Sequence, residues 1–167
     1  MQQALADTTL VSIDCLAVGD WFLTQRDSTC AVGLLFAKVQ AAVDWVEIST
    51  KGARCYMLNT SGGRCQVLRL SIPEEGLQLQ FDLSRSENTQ IPNSGQLVIC
   101  PDLGACVVVE QVDKNTSQQC VKLLPLKPGQ LETLKDPKFI FERWSLGYYG
   151  ADGQWIDIVR REPPLPA

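Results

Sequence analysis

The stretch LQLQFDLS, residues 77–84, decides the fold class of this chain, because apolar and polar side chains alternate strictly along it. Successive side chains of a β-strand point to opposite faces of a sheet, so this period of two places the apolar set on one face of a half-buried strand. Other short segments carry similar apolar patterns between turn residues. They are residues 21–25, 43–49, 55–58, 65–70, 97–100, 106–112, 120–124, 139–144 and 155–159.

We therefore predict an all-β protein with about ten short strands and at most one short helix. Two architectures fit this pattern: one compact barrel or sandwich, or two tandem SH3-like small barrels. The helix is expected at residues 128–135, where a proline can begin two turns and the Asp136-Pro137 pair ends them. Residues 30–46 fit either a helical face or a strand broken near Gln40, and we favour the broken strand.

A faint internal repeat indicates two halves. A shift of 76 residues aligns Gly19 with Gly95 and, without a gap, Cys30-Ala31-Val32 with Cys106-Val107-Val108. Each copy reads as a glycine, a strand, a turn and a second strand, which is similar to the start of small SH3-like barrels. Chance similarity between two amphipathic hairpins is the alternative to duplication.

The expected domain organisation follows from this repeat. Residues 1–167 form one compact β unit, with possible halves at residues 9–83 and 91–160 and a connection at residues 84–90. Residues 161–167 are rich in proline and are expected to be an extended tail.

The chain contains no histidine, and this absence excludes several kinds of site. Ser-His-Asp and Cys-His catalysis and His-ligated zinc all need an imidazole. No Walker phosphate loop, GxSxG elbow or SxxK motif occurs. The seven cysteines lack CxxC spacing, which favours small buried hydrophobes in a reducing cytosol over a metal site. We predict no catalytic residue, no cofactor and no metal.

Charge and hydropathy limit the class of partner. The chain has 15 basic and 19 acidic residues, a net charge of −4, and no three adjacent basic residues. Phosphate binding needs a basic face, so this composition disfavours nucleic acid as a partner. The N-terminus lacks a signal-peptide pattern, and the longest charge-free apolar run, residues 30–37, is too short to span a bilayer. We expect a cytoplasmic protein whose partner is another protein.

Residues 143–155 form the predicted binding surface, because they combine four large aromatic residues with an arginine and three glycines. Trp, Tyr and Arg are enriched at binding hot spots, and glycine-rich loops present aromatic area at low entropic cost. The candidate partner-binding residues are Arg143, Trp144, Tyr148, Tyr149 and Trp155. Alternatively, Trp144 and Trp155 face each other across a hairpin and close the end of a barrel.

A ligand-binding barrel is the first alternative function. Gly19-Asp20-Trp21 resembles the G-x-W on the first strand of lipocalin-like barrels, which implies a closed barrel around a small apolar ligand. In that family a basic residue on a late strand often covers the tryptophan, and Arg143 or Arg160 would take this role here.

A carboxylate-dependent hydrolase is the second alternative. Glu142, Asp152 and Asp157 lie near aromatic residues in the sequence, as the paired carboxylates of glycosidases do. Glu142 lies between Phe141 and Arg143, and Asp157 between Ile156 and Ile158, which equally fits outward-facing positions on strands. The leading expectation is a non-enzymatic protein-binding module that acts in assembly or regulation.

Overall fold

The protein is described by a computed structural model over eleven segments, and within them it is an all-β protein. The described residues are 8–26, 29–39, 42–48, 55–61, 65–72, 76–82, 86–87, 92–112, 117–126, 131–134 and 139–162. Apart from a single 3-10 turn at Ile13–Cys15, every regular element in these residues is a strand. The predicted fold class is confirmed, and β-branched and aromatic residues are the majority in the strands at residues 42–48 and 155–161, as expected for pleated, half-buried segments.

Fifteen strands are present in the described segments. The N-terminal strands are β1 (Thr8–Ser12), β2 (Trp21–Arg26), β3 (Thr29–Val39), β4 (Ala42–Ile48), β5 (Cys55–Ser61), β6 (Gln66–Leu70) and β7 (Gln78–Phe81). The C-terminal strands are β8 (Ser86–Glu87), β9 (Leu97–Cys100), β10 (Gly104–Val112), β11 (Gln119–Pro125), β12 (Glu132–Thr133), β13 (Phe139–Phe141), β14 (Trp144–Tyr149) and β15 (Trp155–Arg161).

The two halves of the chain follow the same strand order. The N-terminal strands run antiparallel in the order β1-β6-β2-β3-β4-β5, and the C-terminal strands repeat it as β8-β13-β9-β10-β11-β12. One parallel pairing, between Tyr56 of β5 and Glu110 of β10, joins the two runs into one sheet. A second, three-stranded sheet has the order β15-β14-β7. Among the described strands β1 and β5 do not pair, so the molecule is a sandwich and not a closed barrel.

Side chains from both halves and from the small sheet bury one shared core. Cross-strand pairs identify matched positions in the two halves, since Trp21 lies opposite Leu34 and, in the second half, Leu97 lies opposite Val107. All four of these side chains belong to the shared core, as does Trp144 of β14. Burial of this apolar area is the main term that holds the layers together.

Each half also has a smaller core of its own. In the N-terminal half Phe22 meets Trp45 edge-on, with ring centroids 5.2 Å apart. Phe22 also covers Gly33 on the neighbouring strand, where an added Cβ would collide with the ring. The C-terminal half has a cluster of β-branched residues, leucine and two cysteines at the corresponding place.

Two secondary-structure predictions are wrong. Residues 131–134, the described part of the predicted helix 128–135, contain β12, which pairs with β11. An isolated two-turn helix is marginal in water, so strand pairing prevails. The predicted strand 139–144 is broken at Glu142 and Arg143, because β13 joins the large sheet while β14 joins the small one. The predicted strand break near Gln40 is found as the division between β3 and β4.

The register also corrects the predicted repeat. Phe22 lies opposite Gly33, and Val98, its counterpart after a shift of 76, lies opposite Cys106. Cys106 therefore corresponds to Gly33 and not to Cys30, because the first hairpin is longer. The division into halves at residues 9–83 and 91–160 and the SH3-like class stay predictions.

The predicted connection and the predicted tail both overlap strands of the structure. Residues 86–87 of the predicted connection 84–90 form β8, and its other residues lie outside the described segments. Arg161, the first residue of the predicted tail 161–167, is the last residue of β15. Residues 163–167 also lie outside the described segments.

Two buried thiols lie side by side on β9 and β10. Cys100 and Cys106 are 2% and 0% exposed, and both belong to the core of the C-terminal half. Burial, together with the neighbouring Cys100 thiol, raises the pKa of Cys106 to about 12. A thiol in this setting is a small hydrophobe and not a nucleophile, as the sequence indicates for such cysteines.

We expect iodoacetamide at about pH 8 to alkylate the exposed Cys15 of the native protein and to leave Cys106 unmodified. The reason is that the thiolate is the reactive form, and Cys106 remains a protonated, inaccessible thiol. Peptide mass spectrometry after timed quenching measures both rates, and labelling in urea provides the control in which both cysteines react. Equal rates for Cys15 and Cys106 in the native protein would contradict the buried position.

Candidate functional site

The predicted site residues lie on a β-hairpin and not on a glycine-rich loop. β14 and β15 pair along their length, with a bulge between Leu146 and Gly147. The turn between the strands is closed by the Gly150 N–H, which donates to the Gln154 carbonyl over 2.8 Å. The sequence was misleading here because three glycines suggest a loop, while the neighbouring tyrosine and tryptophan residues favour strands.

Trp144 is part of the shared core. Its side chain is 2% exposed, and its indole Nε1 donates to the carbonyl of Gly95 over 3.0 Å. Arg143, immediately before it, is exposed, and its guanidinium lies 3.8 Å from the Asp82 carboxylate. The structure therefore separates these two candidates, since a fully packed tryptophan offers no surface to a partner.

Tyr149 and Trp155 form an ordered aromatic pair at the other end of the hairpin. Tyr149 is 52% exposed, and its ring meets that of Trp155 edge-on with centroids 5.3 Å apart. Trp155 Nε1 donates to one carboxylate oxygen of Asp157 over 2.6 Å, and Arg160 Nε contacts the other over 3.1 Å. These contacts hold Trp155 in place beneath the exposed tyrosine.

The five candidates thus do not form one surface. Trp144 lies opposite Arg161 and Trp155 lies opposite Tyr149, so the expectation that the two tryptophans face each other is wrong. Tyr148 is partly buried and packs against the shared core. The structure brings only Tyr149 and Trp155 of the five together in an accessible place.

A hydrogen-bonded turn precedes β2, and we call residues 17–20 the N-terminal glycine turn. The Gly19 N–H donates to the Leu35 carbonyl over 2.8 Å, and the Leu35 N–H donates to the Asp20 carbonyl over 3.1 Å. The Asp20 side-chain Oδ2 accepts from the Ala17 N–H over 2.8 Å. Gly19 has a φ of 95°, a conformation that glycine adopts without the steric cost of a Cβ.

The same turn precedes β9, and we call residues 93–96 the C-terminal glycine turn. The Gly95 N–H donates to the Val108 carbonyl over 2.6 Å, and the Val108 N–H donates to the Gln96 carbonyl over 2.9 Å. The Gln96 side-chain Oε1 accepts from the Asn93 N–H over 2.7 Å. Gly95 has a φ of 84°. Position for position, the two turns have the same hydrogen bonds.

The hairpin covers the C-terminal glycine turn. Trp144 donates to the Gly95 carbonyl, and Arg161 Nη2 donates to the Ser94 carbonyl over 3.3 Å. The guanidinium of Arg161 lies so close to Gly95 that an added Cβ would collide with it.

The N-terminal glycine turn borders an open cleft of about 740 Å³, which we call the cleft. Both halves of the chain contribute to it, since the end of β11 faces the N-terminal strands across it. No heavy atom of the described residues lies within 4 Å of a Cβ placed on Gly19, apart from its chain neighbours. Apolar side chains form part of the wall, and polar atoms contribute almost as much of its surface. The apolar lining residues include Val11, Trp21, Leu34, Leu70, Ile72, Leu77 and Leu124.

One ion pair lies at the cleft. Arg69 Nη2 is 3.1 Å from Asp20 Oδ1, and the Arg69 side chain is half exposed. Because the Ala17 N–H donates to the other oxygen of Asp20, both carboxylate oxygens take part in binding, one to the turn and one to Arg69. The arginine that lines the cleft together with Trp21 is thus Arg69. The two arginines expected from the lipocalin-like pattern form ion pairs elsewhere, Arg143 with Asp82 and Arg160 with Asp157.

The carboxylates that suggested hydrolysis have structural roles where their bonds are described. Asp152 Oδ1 accepts from the Gln154 N–H over 3.0 Å, and Asp157 binds Trp155 and Arg160. In the described part of the chain, no three His, Cys, Asp or Glu side chains are grouped to hold a metal ion. The chemistry that this arrangement offers is hydrogen bonding and apolar contact.

Sequence reasoning missed the cleft and its arginine. Arg69 comes next to Asp20 only because β6 pairs with β2, a contact between segments far apart in the chain. The signal that was available is the Gly19/Gly95 match, which marks both turns.

No protein-family model matches the chain, and no curated protein or solved structure is significantly similar to it. No helix among the described residues has the length and apolar character needed to cross a membrane.

We expect Gly95→Ala to lower the free energy of unfolding more than Gly19→Ala. Both glycines have positive φ, so alanine costs about 1 kcal/mol or more at each site. At Gly95 the new Cβ must also displace Arg161, which loses a hydrogen bond worth about 1 kcal/mol. Urea unfolding followed by tryptophan fluorescence measures the difference.

The control for this comparison is the same pair of substitutions in an Arg161→Ala background. There the extra cost at Gly95 should disappear, because no guanidinium remains to collide with the Cβ. Equal losses for both glycines in the wild-type background would contradict the covered geometry of the C-terminal turn.

Proposed function

We propose that the protein is a non-enzymatic, cytoplasmic protein-binding module whose cleft receives an extended segment of another protein. One observation carries this proposal: Val18 and Gly19 line a cleft of about 740 Å³, and no described residue donates a hydrogen bond to their carbonyls. Main-chain hydrogen bonds combined with pockets for side chains are one recurring way in which proteins bind extended peptides.

The surroundings of the cleft support a peptide partner. Val18 is 53% exposed, and the partly buried Leu70, Ile72 and Leu77 line the cleft beside it. Arg69 and Asp20 add a charged pair that can orient a polar backbone or side chain. The net charge of −4 further favours a partner segment that carries basic residues. An SH3-like origin of the two halves remains part of this proposal.

The aromatic pair of Tyr149 and Trp155 is the second contact surface that we propose. An exposed tyrosine held on an ordered tryptophan presents a large area at little entropic cost. Because this pair lies on the small sheet, a partner could use it independently of the cleft.

A small apolar ligand is the second candidate function. The volume of the cleft lies within the range of about 300–1,000 Å³ that small-molecule sites occupy. Such a ligand would lie between the halves and not inside a closed lipocalin-like barrel.

The cleft-filling variant Ser71→Trp tests the proposal. Ser71 is exposed and borders the cleft, so a tryptophan there occupies the space that the partner needs. Peptides are selected by display on the wild-type protein, and their affinity is measured by fluorescence polarisation. We expect Ser71→Trp to weaken binding about tenfold or more, a loss of about 1.4 kcal/mol.

The matched control is Gln78→Trp, which adds the same side chain at an exposed position of β7 that does not line the cleft. It should leave peptide affinity unchanged, and thermal unfolding checks that both variants are folded. The proposal fails if selected peptides bind Ser71→Trp as tightly as the wild type. The small-ligand function replaces the peptide-binding function if no peptide is selected, a fluorescent apolar dye binds the wild type, and Ser71→Trp prevents binding of the dye.

A further inference from the structure

We propose that the segment bound by the cleft is a β-hairpin of the partner that carries a tryptophan and an arginine opposite each other. This inference rests on the proposed function and adds the chemistry of the partner. The inference follows from the two glycine turns, because the C-terminal turn shows which side chains, Trp144 and Arg161, bind such a turn.

The equivalence of the two turns extends beyond their glycines. Each glycine N–H donates to a carbonyl on the next strand, and each turn is closed by an acid or amide side chain that accepts a backbone N–H three residues before it. The strands that follow also have the same neighbours, since β2 lies between β6 and β3 as β9 lies between β13 and β10. The surfaces beside Gly19 and Gly95 therefore have the same backbone framework.

In the C-terminal half, two side chains of the β14–β15 hairpin occupy this surface. Trp144 and Arg161 are directly opposite each other on β14 and β15, and they donate to the carbonyls of Gly95 and Ser94. An indole N–H and a guanidinium are donors without acceptors, so they match two neighbouring carbonyls.

In the N-terminal half the corresponding carbonyls belong to Gly19 and Val18. They lie beside the cleft, and no described side chain covers them as Trp144 and Arg161 cover the other turn. A partner hairpin with the same two donors would satisfy both carbonyls and place its indole against the apolar wall formed in part by Trp21 and Leu34.

The charges at the two turns differ, but the difference does not add to the recognition of an arginine. Asp20 stands where the C-terminal turn has Gln96, so the N-terminal turn carries an additional carboxylate. Arg69 already pairs with this carboxylate, and the carbonyls consequently supply most of the recognition.

A second copy of this chain is a poor source of the hairpin. In each copy Trp144 is 2% exposed and Arg161 is bound to the C-terminal glycine turn, so releasing them would expose part of the shared core. The occupant is therefore a hairpin of a different protein.

The test uses the full chain and a labelled, backbone-cyclised peptide with the sequence of residues 144–161 as a model hairpin. We expect it to bind the wild-type protein, measured by fluorescence polarisation, with chemical-shift changes at Gly19. Trp144→Ala or Arg161→Ala in the peptide should each weaken binding about tenfold, or about 1.4 kcal/mol. An Ile156→Val peptide is the control for unrelated changes and should bind normally.

Variants of the full chain separate the possible outcomes. Ser71→Trp in the protein should abolish peptide binding, and Gln78→Trp should not. Binding that persists in Ser71→Trp, with changes at Gly95, would mean exchange with the chain's own hairpin and would overturn the inference. Concentration-dependent dimers that Ser71→Trp abolishes would also overturn it, in favour of a second copy.

Failure of this inference is distinguishable from failure of the proposed function. If display yields cleft-dependent peptides without tryptophan or arginine while the model hairpin does not bind, the hairpin chemistry is wrong and the peptide-binding function stands. If neither the displayed peptides nor the model hairpin bind at the cleft, both are wrong.

Discussion

The burial of Trp144 is the interaction on which the rest of the structure depends. This side chain lies in the core that both halves share, and it hydrogen-bonds the Gly95 carbonyl. Removing a buried tryptophan typically costs about 3–5 kcal/mol, a large share of the roughly 5–15 kcal/mol by which a domain is stable. Trp144 thus fixes the small sheet against the C-terminal half, and β7 is fixed with it through its pairing with β14.

This attachment makes two similar halves unequal. The strand order and the glycine turns repeat, but the chain has one hairpin to place against them. Trp144 and Arg161 lie on the C-terminal turn. The N-terminal turn has no such cover among the described residues, and Leu77 and the end of β11 line the cleft beside it. The cleft is therefore a consequence of how the core is filled.

The fold class could be predicted from the sequence, whereas the cleft could not. Alternation is a local property, and residues 77–84 accordingly contain strand β7. Trp144 and Tyr149 look alike in the sequence, and only packing against residues far away along the chain places Trp144 in the core. Arg69 reaches the cleft through an equally distant pairing. The Gly19/Gly95 match was visible in the sequence, but the three-residue difference in the first hairpin concealed its extent.

Amide hydrogen exchange of the two turn glycines, measured by NMR on the native protein, tests the central claim most directly. Gly19 and Gly95 donate equivalent hydrogen bonds, to Leu35 and Val108, so a difference in protection reports what covers each turn. The account predicts that Gly95 exchanges only with global unfolding, because Trp144 and Arg161 cover it, and that Gly19 exchanges faster through local opening at the cleft. Equal protection of the two amides, or slower exchange at Gly19, would contradict the account.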